Sequence, residues 1–274
     1  AASDVYKRQV LTHTGARVVA AAGIVLLGLN LRPVVNVVGA VVPELKADTG
    51  LSAPAIGLLL SLPMLAFAVL GLAAPALAAR FGAHRAVVAL LLVLAAGQVI
   101  RAVVPGVWAL FGGSLIALAG IAIGNVVMPG LVRLHFPDHI PPMTAAYTTA
   151  LAVGAAGAVG LSNPIEHALN GTWRTGIGVW AAPALVAVIP WLALARSAGD
   201  RPAQTPGARL PLRHLARTRI AWTLAMYFGL QAMLAYVIMG WLPEILTQRG
   251  MSPTAAAFQV AVIIAVGIVP AALA

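Results

Sequence analysis

Gly28-Leu29-Asn30-Leu31-Arg32-Pro33 lies inside an otherwise apolar run from Val18 to Val42. About 20 apolar residues suffice to cross a bilayer as a helix, which puts Arg32 near mid-depth. A guanidinium at that depth costs several kcal/mol, with estimates from about 3 to above 10. It survives where it faces a protein-lined cavity that something negative can enter. Asn30 and Asn36 add amides to the same helix, and Pro33 removes a backbone donor and frees a carbonyl there. The stretch reads as an anion-sensing helix in a transport path. A second reading stands beside it: Arg32 snorkels toward a headgroup, or bonds freed carbonyls and only holds helices together.

Composition sets the surroundings of that helix. Hydrophobic residues are 61% of the 274 and charged ones 9%, against roughly 45 to 50% and 25% in soluble domains. The expected class is an all-α polytopic membrane protein. Cysteine is absent, which removes disulfides, thiol nucleophiles and Cys-based metal sites; no metal or cofactor is expected. Ala1 to Gln9 are polar, unlike the apolar run after them, and read as a cytoplasmic lead-in or a stray start outside the fold.

Further spans run from about Ala55 to Ala79, Ala86 to Val104, Val107 to Met128, Met143 to Asn163, Thr175 to Ala195 and Ile220 to Leu242, and an eighth begins near Thr254. Pro43 to Pro54 reads as a polar turn. With the N-terminus inside, Lys7, Arg8, Arg17, Arg80, Arg85, Arg133 and the six arginines from Arg196 to Arg219 are cytoplasmic, leaving Lys46, Arg101, Arg174 and Arg249 outside. Twelve against four obeys the positive-inside rule and explains the formal charge of +10 without nucleic acid. Residues 196–219, basic and interrupted by prolines 202, 206 and 211, read as a cytoplasmic linker, as a surface helix on anionic lipid or as a plain solvated loop.

An internal repeat supplies the architecture. Val42-Pro43-Glu44-Leu45 followed by Gly50-Leu51-Ser52 returns 200 residues later as Leu242-Pro243-Glu244-Ile245 followed by Gly250-Met251-Ser252. The first and seventh spans become equivalents. Residues 1–195 then form an N-terminal six-helix bundle, and 220–274 start a second bundle with helix 7 and part of helix 8. A whole protein of this plan has about 12 spans, so the chain is expected to be C-terminally truncated.

The residues also carry a family likeness. Asn30-Leu31-Arg32-Pro33, Ile123-Gly124-Asn125-Val126-Val127-Met128-Pro129, Phe136-Pro137-Asp138, Tyr147-Thr148-Thr149 and Trp241-Leu242-Pro243 resemble the CynX/NimT branch, the cyanate and nitroimidazole transporters, of the major facilitator superfamily. The resemblance implies the major facilitator fold and a secondary transporter for a small anion or small polar organic compound in a bacterial inner membrane. The loop after the second span looks like a degenerate form of the superfamily's signature loop: Arg80, Gly82 and Arg85 match, while Pro75 stands for the usual Gly and Ala79 for the usual Asp. It is read as a gating loop or as positive-inside anchoring.

Other polar groups inside spans complete the candidate site. Asn125 either lines an inner vestibule or bonds a neighbouring helix. Tyr147, Tyr227, Gln231 and Tyr236 are the rest, and Tyr227 and Gln231, four apart, share a helical face that either meets the cavity or packs. Gly120, Gly124, Gly154, Gly157 and Gly160 read as close-packing positions. None of Asp4, Glu44, Asp48, Asp138, Glu166, Asp200 and Glu244 lies mid-membrane, and the histidines sit at span ends. The coupling ion is therefore open.

The expectation is alternating access by a monomer, with Arg32 as the counter-charge for a small anion. A drug exporter of the same superfamily is the rival, and a non-transporting receptor or scaffold the alternative of another class. An enzyme is disfavoured: there is no HExxH, and Gly112-Gly113-Ser114, the nearest nucleophile motif, has no base at its depth.

Overall fold

The computed structural model describes residues 2–70, 82–197 and 217–266, with the backbone alone over 2–14. Eleven α-helices run in order among these residues: α1 Ala2–Leu31, α2 Pro33–Ala40, α3 Val42–Thr49, α4 Ala53–Leu70, α5 Ala83–Val103, α6 Val107–His135, α7 Ile140–Ala168, α8 Trp173–Gly178, α9 Ala181–Ser197, α10 Arg219–Gln248 and α11 Pro253–Val266. Seven helical stretches are long and apolar enough to cross a membrane, and α11 is a shorter apolar helix. Helices of this kind satisfy their own backbone groups, the requirement that lipid imposes. They make this an all-α membrane protein.

The first span is not one helix but two. Proline at position 33 has no N–H and starts α2, while Arg32 sits at the joint with φ −102 and ψ −34. The Arg32 carbonyl accepts from the N–H groups of Val35 and Asn36, both at 3.1 Å. Proline also strips the Leu29 carbonyl of its helical partner. Gly154 of α7 lies against that carbonyl so closely that a Cβ would be 2.2 Å from its oxygen; only glycine leaves room.

The stretch from Pro43 to Pro54, expected as a polar turn, contains the two-turn helix α3. Its sequence explains the difference: a proline in the first turn, Glu44 beside the N-terminus, and Gly50 in the left-handed region with φ 63 to end it. The repeat partner ends α10 in the same manner. Gly250, the counterpart of Gly50, has φ 96; a threonine also bonds back four residues near each end, though at positions that do not correspond, Thr49 to the Leu45 carbonyl at 2.6 Å and Thr247 to the Pro243 carbonyl at 2.9 Å. The chain then restarts at Ala53 in one copy and Pro253 in the other.

The main core joins α1, α2, α5, α6 and α9 through Ile24, Leu27, Val37, Leu91, Leu94, Ile121 and Trp191, all essentially inaccessible. Trp191 fills the space that Gly23 leaves and donates its indole N–H to the Gly23 carbonyl at 3.2 Å. A smaller apolar cluster, with Ala40, Ala155, Val159, Val260 and Ile264, ties α2 and α7 to α11. Gly120 also packs as expected, a Cβ there lying 2.6 Å from the Leu90 carbonyl.

Two polar groups depart from the sequence reading. Arg101, expected at the outer end of its span and counted with the outside cations, is 1% exposed inside the last turn of α5. His84, taken as a helix-end group, is buried at the start of α5, its Nε2 3.0 Å from Nε2 of His135 and its ring stacked on Trp191. In both cases neighbouring helices cover ends that hydropathy alone leaves in water.

Candidate functional site

A cavity of about 730 Å³ opens beside the α1–α2 joint. Its walls come from both repeats: Arg32 and Asn36 from the joint and α2, Phe67 from α4, Asn125 from α6, Thr148 and Leu151 from α7, Phe228, Gln231 and Tyr236 from α10, and Ile263 from α11. Arg32 is half-buried and donates from Nη1 to the Tyr236 hydroxyl at 2.9 Å. The Tyr236 ring in turn lies 6.4 Å from that of Phe67, tilted by 59°. No carboxylate is paired with Arg32 among the described residues. The guanidinium thus reaches open space with a neutral partner and keeps its charge available.

Asn36 comes four residues after Arg32 and shares its face. Its amide nitrogen meets the Met239 sulfur at 3.5 Å, and its Oδ1 is buried without a partner. Asn125 is exposed on the cavity wall, and Gln231 lies on it too. Three candidates lie elsewhere. Asn30 points away from Arg32 and is held by the carbonyls of Leu26 at 2.8 Å and Pro183 at 3.1 Å, so it fastens α1 to α9. Tyr147 is half-buried against the main core, leaving Thr148 as its neighbour on the wall. Tyr227 is 62% exposed, edge-on to Phe228 at 5.5 Å, and lies one turn beyond Gln231 past the end of the lining.

Of the expected gating loop, Arg80 lies outside the described residues, as do Pro75 and Ala79. Gly82 precedes α5 with φ 82, a left-handed conformation that suits glycine, and Arg85 is exposed in the first turn of that helix.

The cavity is shut on the side of α3. There α2 crosses α10 at Gly39 and Gly240, and beyond them Lys46 Nζ lies 3.8 Å from Glu244 Oε1. Gln248 donates to the same Glu244 oxygen at 2.8 Å. Glu44 lies in this closed end, and burial pushes its carboxyl up from the usual value, with His167 opposing and Glu244 adding to the shift. Trp173 joins the layer by donating its indole N–H to Asp48 at 2.9 Å.

Seven helices long and apolar enough to cross a membrane, with a cavity that holds an arginine in its wall, define a polytopic membrane protein. Residues 15–274 match the Major Facilitator Superfamily, and the chain belongs to it. It is 36% identical over 237 residues to the 2-nitroimidazole transporter of Escherichia coli (strain K12), covering 86% of this chain and 59% of that protein. To the cyanate transport protein CynX of the same organism it is 32% identical over 232 residues, covering 84% and 59%. The chain therefore spans just under three-fifths of these relatives' length, and both are transporters rather than enzymes. Among solved structures, a bacterial homologue of the lysosomal transporter Spinster, in an inward-facing and unoccupied conformation, superposes with a TM-score of 0.70 at 18% identity, over 93% of this chain and 60% of that one. The D-xylose-proton symporter gives 0.63 at 14%, over 92% and 66%. These likenesses concern the fold.

Proposed function

We propose that this protein belongs to a secondary transporter that moves a small solute, preferentially a small anion, across the bacterial inner membrane by alternating access. The observation that carries the reading is Arg32: an intramembrane guanidinium without a carboxylate among the described residues, held by Tyr236 of the other repeat and facing a cavity large enough for cargo. The names of the relatives, a cyanate transport protein and a 2-nitroimidazole transporter, fit small planar or linear cargo. With the N-terminus in the cytoplasm, the closed end at α3 is the outer one and the cavity faces inward. Residues 1–195 then act as one six-helix unit, 196–219 as the cytoplasmic linker, mostly outside the described residues, and 220–274 as the start of the second unit; the working unit is a monomer.

The experiment is uptake of labelled cyanate and of 2-nitroimidazole by the full chain in proteoliposomes. Arg32→Ala is expected to abolish cyanate uptake while leaving membrane insertion intact. Normal cyanate uptake by Arg32→Ala would falsify the counter-charge role. A second reading, export of neutral organic compounds, draws on Phe67, Phe228 and Leu151 in the wall; it predicts 2-nitroimidazole efflux that survives Arg32→Ala.

A further inference from the structure

Arg101 is the buried charge for which the transport reading has no use. It is 1% exposed, and its side-chain contacts are all neutral: Nη1 donates to the Val34 carbonyl at 3.2 Å and to Ser114 Oγ at 3.4 Å, Nη2 donates to Gln98 Oε1, and Nε is buried without a partner, while the Arg174 guanidinium donates to its backbone carbonyl at 3.3 Å. No carboxylate is paired with it among the described residues. A buried guanidinium has five donors to satisfy and a charge that is costly to leave uncompensated. Beside it lies a second, much narrower and partly open cavity of about 20 Å³, lined by Arg101, Asn36, Ser114 and Tyr236 among others. A water needs roughly 10 to 15 Å³ of such space; this one has room for a water or a very small anion.

Asn36, Tyr236 and Met239 line both this cavity and the larger one. They form a thin partition, with Arg32 on one side and Arg101 on the other. The Asn36 Oδ1, buried and unpartnered, is part of it. The close approach of α5 and α6 seats the arginine here: a Cβ on Gly113 would lie 2.8 Å from Arg101 Cγ, and one on Gly97 2.5 Å from the Gly113 carbonyl.

We propose that Arg101 forms a second anion station, behind the Tyr236–Asn36 partition, that accepts only a monovalent anion of about three heavy atoms. Resting on the reading of Arg32 as an anion counter-charge, it adds a size filter: a solute is received broadly at Arg32 and passes to Arg101 only if it fits the small chamber. Cargo moves from one guanidinium to the next as the partition shifts. Larger solutes stop at the first.

Azide, a linear triatomic monoanion with an infrared stretch that reports its surroundings, is the probe. Infrared titration of the purified full chain is expected to show two bound bands and a stoichiometry of two per chain. Arg101→Gln should remove one band and leave the other, and Arg32→Ala should remove the second. The surviving band shows that each variant is folded. If Arg101→Gln loses both, Ser114→Val decides: it narrows the chamber and removes the hydroxyl acceptor of Arg101 while leaving both guanidinium groups in place, and loss of one band alone supports the station. One azide per chain, lost with Arg32→Ala and untouched by Arg101→Gln and Ser114→Val, overturns the Arg101 station while leaving the Arg32 reading in place. No bound azide at all removes both.

Discussion

Gly39 of α2 and Gly240 of α10 meet at the closed end of the cavity, where a Cβ on Gly39 would lie 2.7 Å from the Met239 carbonyl and 3.1 Å from the Gly240 Cα. Neither helix offers a flexible side chain to yield, so the backbones must part if Gly39 gains bulk. Gly39→Val is expected to hold the α3 end open. Labelling of a single cysteine at position 244, buried in the closed end, in this otherwise cysteine-free chain by a membrane-impermeant thiol reagent should then be several-fold faster than in the Gly39 background, with uptake lost.

The bond from Arg32 to the Tyr236 hydroxyl, at 2.9 Å, joins the two repeats across the cavity. Hydrogen bonds to charged groups contribute about 1.5 to 3 kcal/mol, and each 1.4 kcal/mol is tenfold. Tyr236→Phe keeps the ring against Phe67 and removes only the hydroxyl. The expected result is a roughly tenfold change in apparent affinity for the transported anion; an unchanged saturation curve would show that the bond is incidental.

Lys46 and Glu244 also bridge the repeats, at 3.8 Å with the lysine half exposed. Exposed ion pairs are worth about 0 to 1 kcal/mol. Lys46→Ala should therefore alter transport less than twofold at moderate salt. Cysteines at both positions, joined by a short bifunctional thiol reagent, should by contrast stop transport completely, because the closed end can no longer separate.

Glu44 gives a pH dependence with a defined sign. Burial raises its carboxyl above the ordinary value of 4.5, partly offset by its own backbone hydrogen bond and by His167, and reinforced by Glu244. A raised folded-state value means that the folded form holds the proton more tightly, so its contribution is fully present below about pH 4.5 and fades as pH climbs through the raised value. Thermal denaturation in detergent should show Glu44→Gln stabilised relative to the unaltered chain at pH 7 and equal to it at pH 4, a difference that a plain surface role for Glu44 does not produce.

Hydropathy and the repeat carried most of the fold, because both are one-dimensional signals: apolar runs of spanning length, and a turn copied 200 residues apart. Arg32 stood out because a cation in such a run is costly in lipid, and it lies on the cavity wall. Asn30 was separable from it in principle, since positions two apart on a helix point about 200° apart; Asn36, four along, faces the same way. Arg101 could not be read. In sequence it is one more cation near a helix end, and only the packing of α2, α6 and α8 over the last turn of α5 turns it into an interior charge. Thr148, Phe67 and Phe228 were missed for a similar reason: ordinary residues become wall residues only when helices from both repeats are set side by side.

The interruption at Arg32 and Pro33 divides the labour of a single span. Below it, α1 is anchored in the main core by Trp191 and by the bonds of Asn30; above it, α2 leans on α10 at the closed end. A solute that draws the guanidinium off Tyr236 therefore tugs at an elbow whose upper arm is fixed and whose forearm rests on the door. On the transport reading, sensing and latching are separated by no more than one residue of backbone.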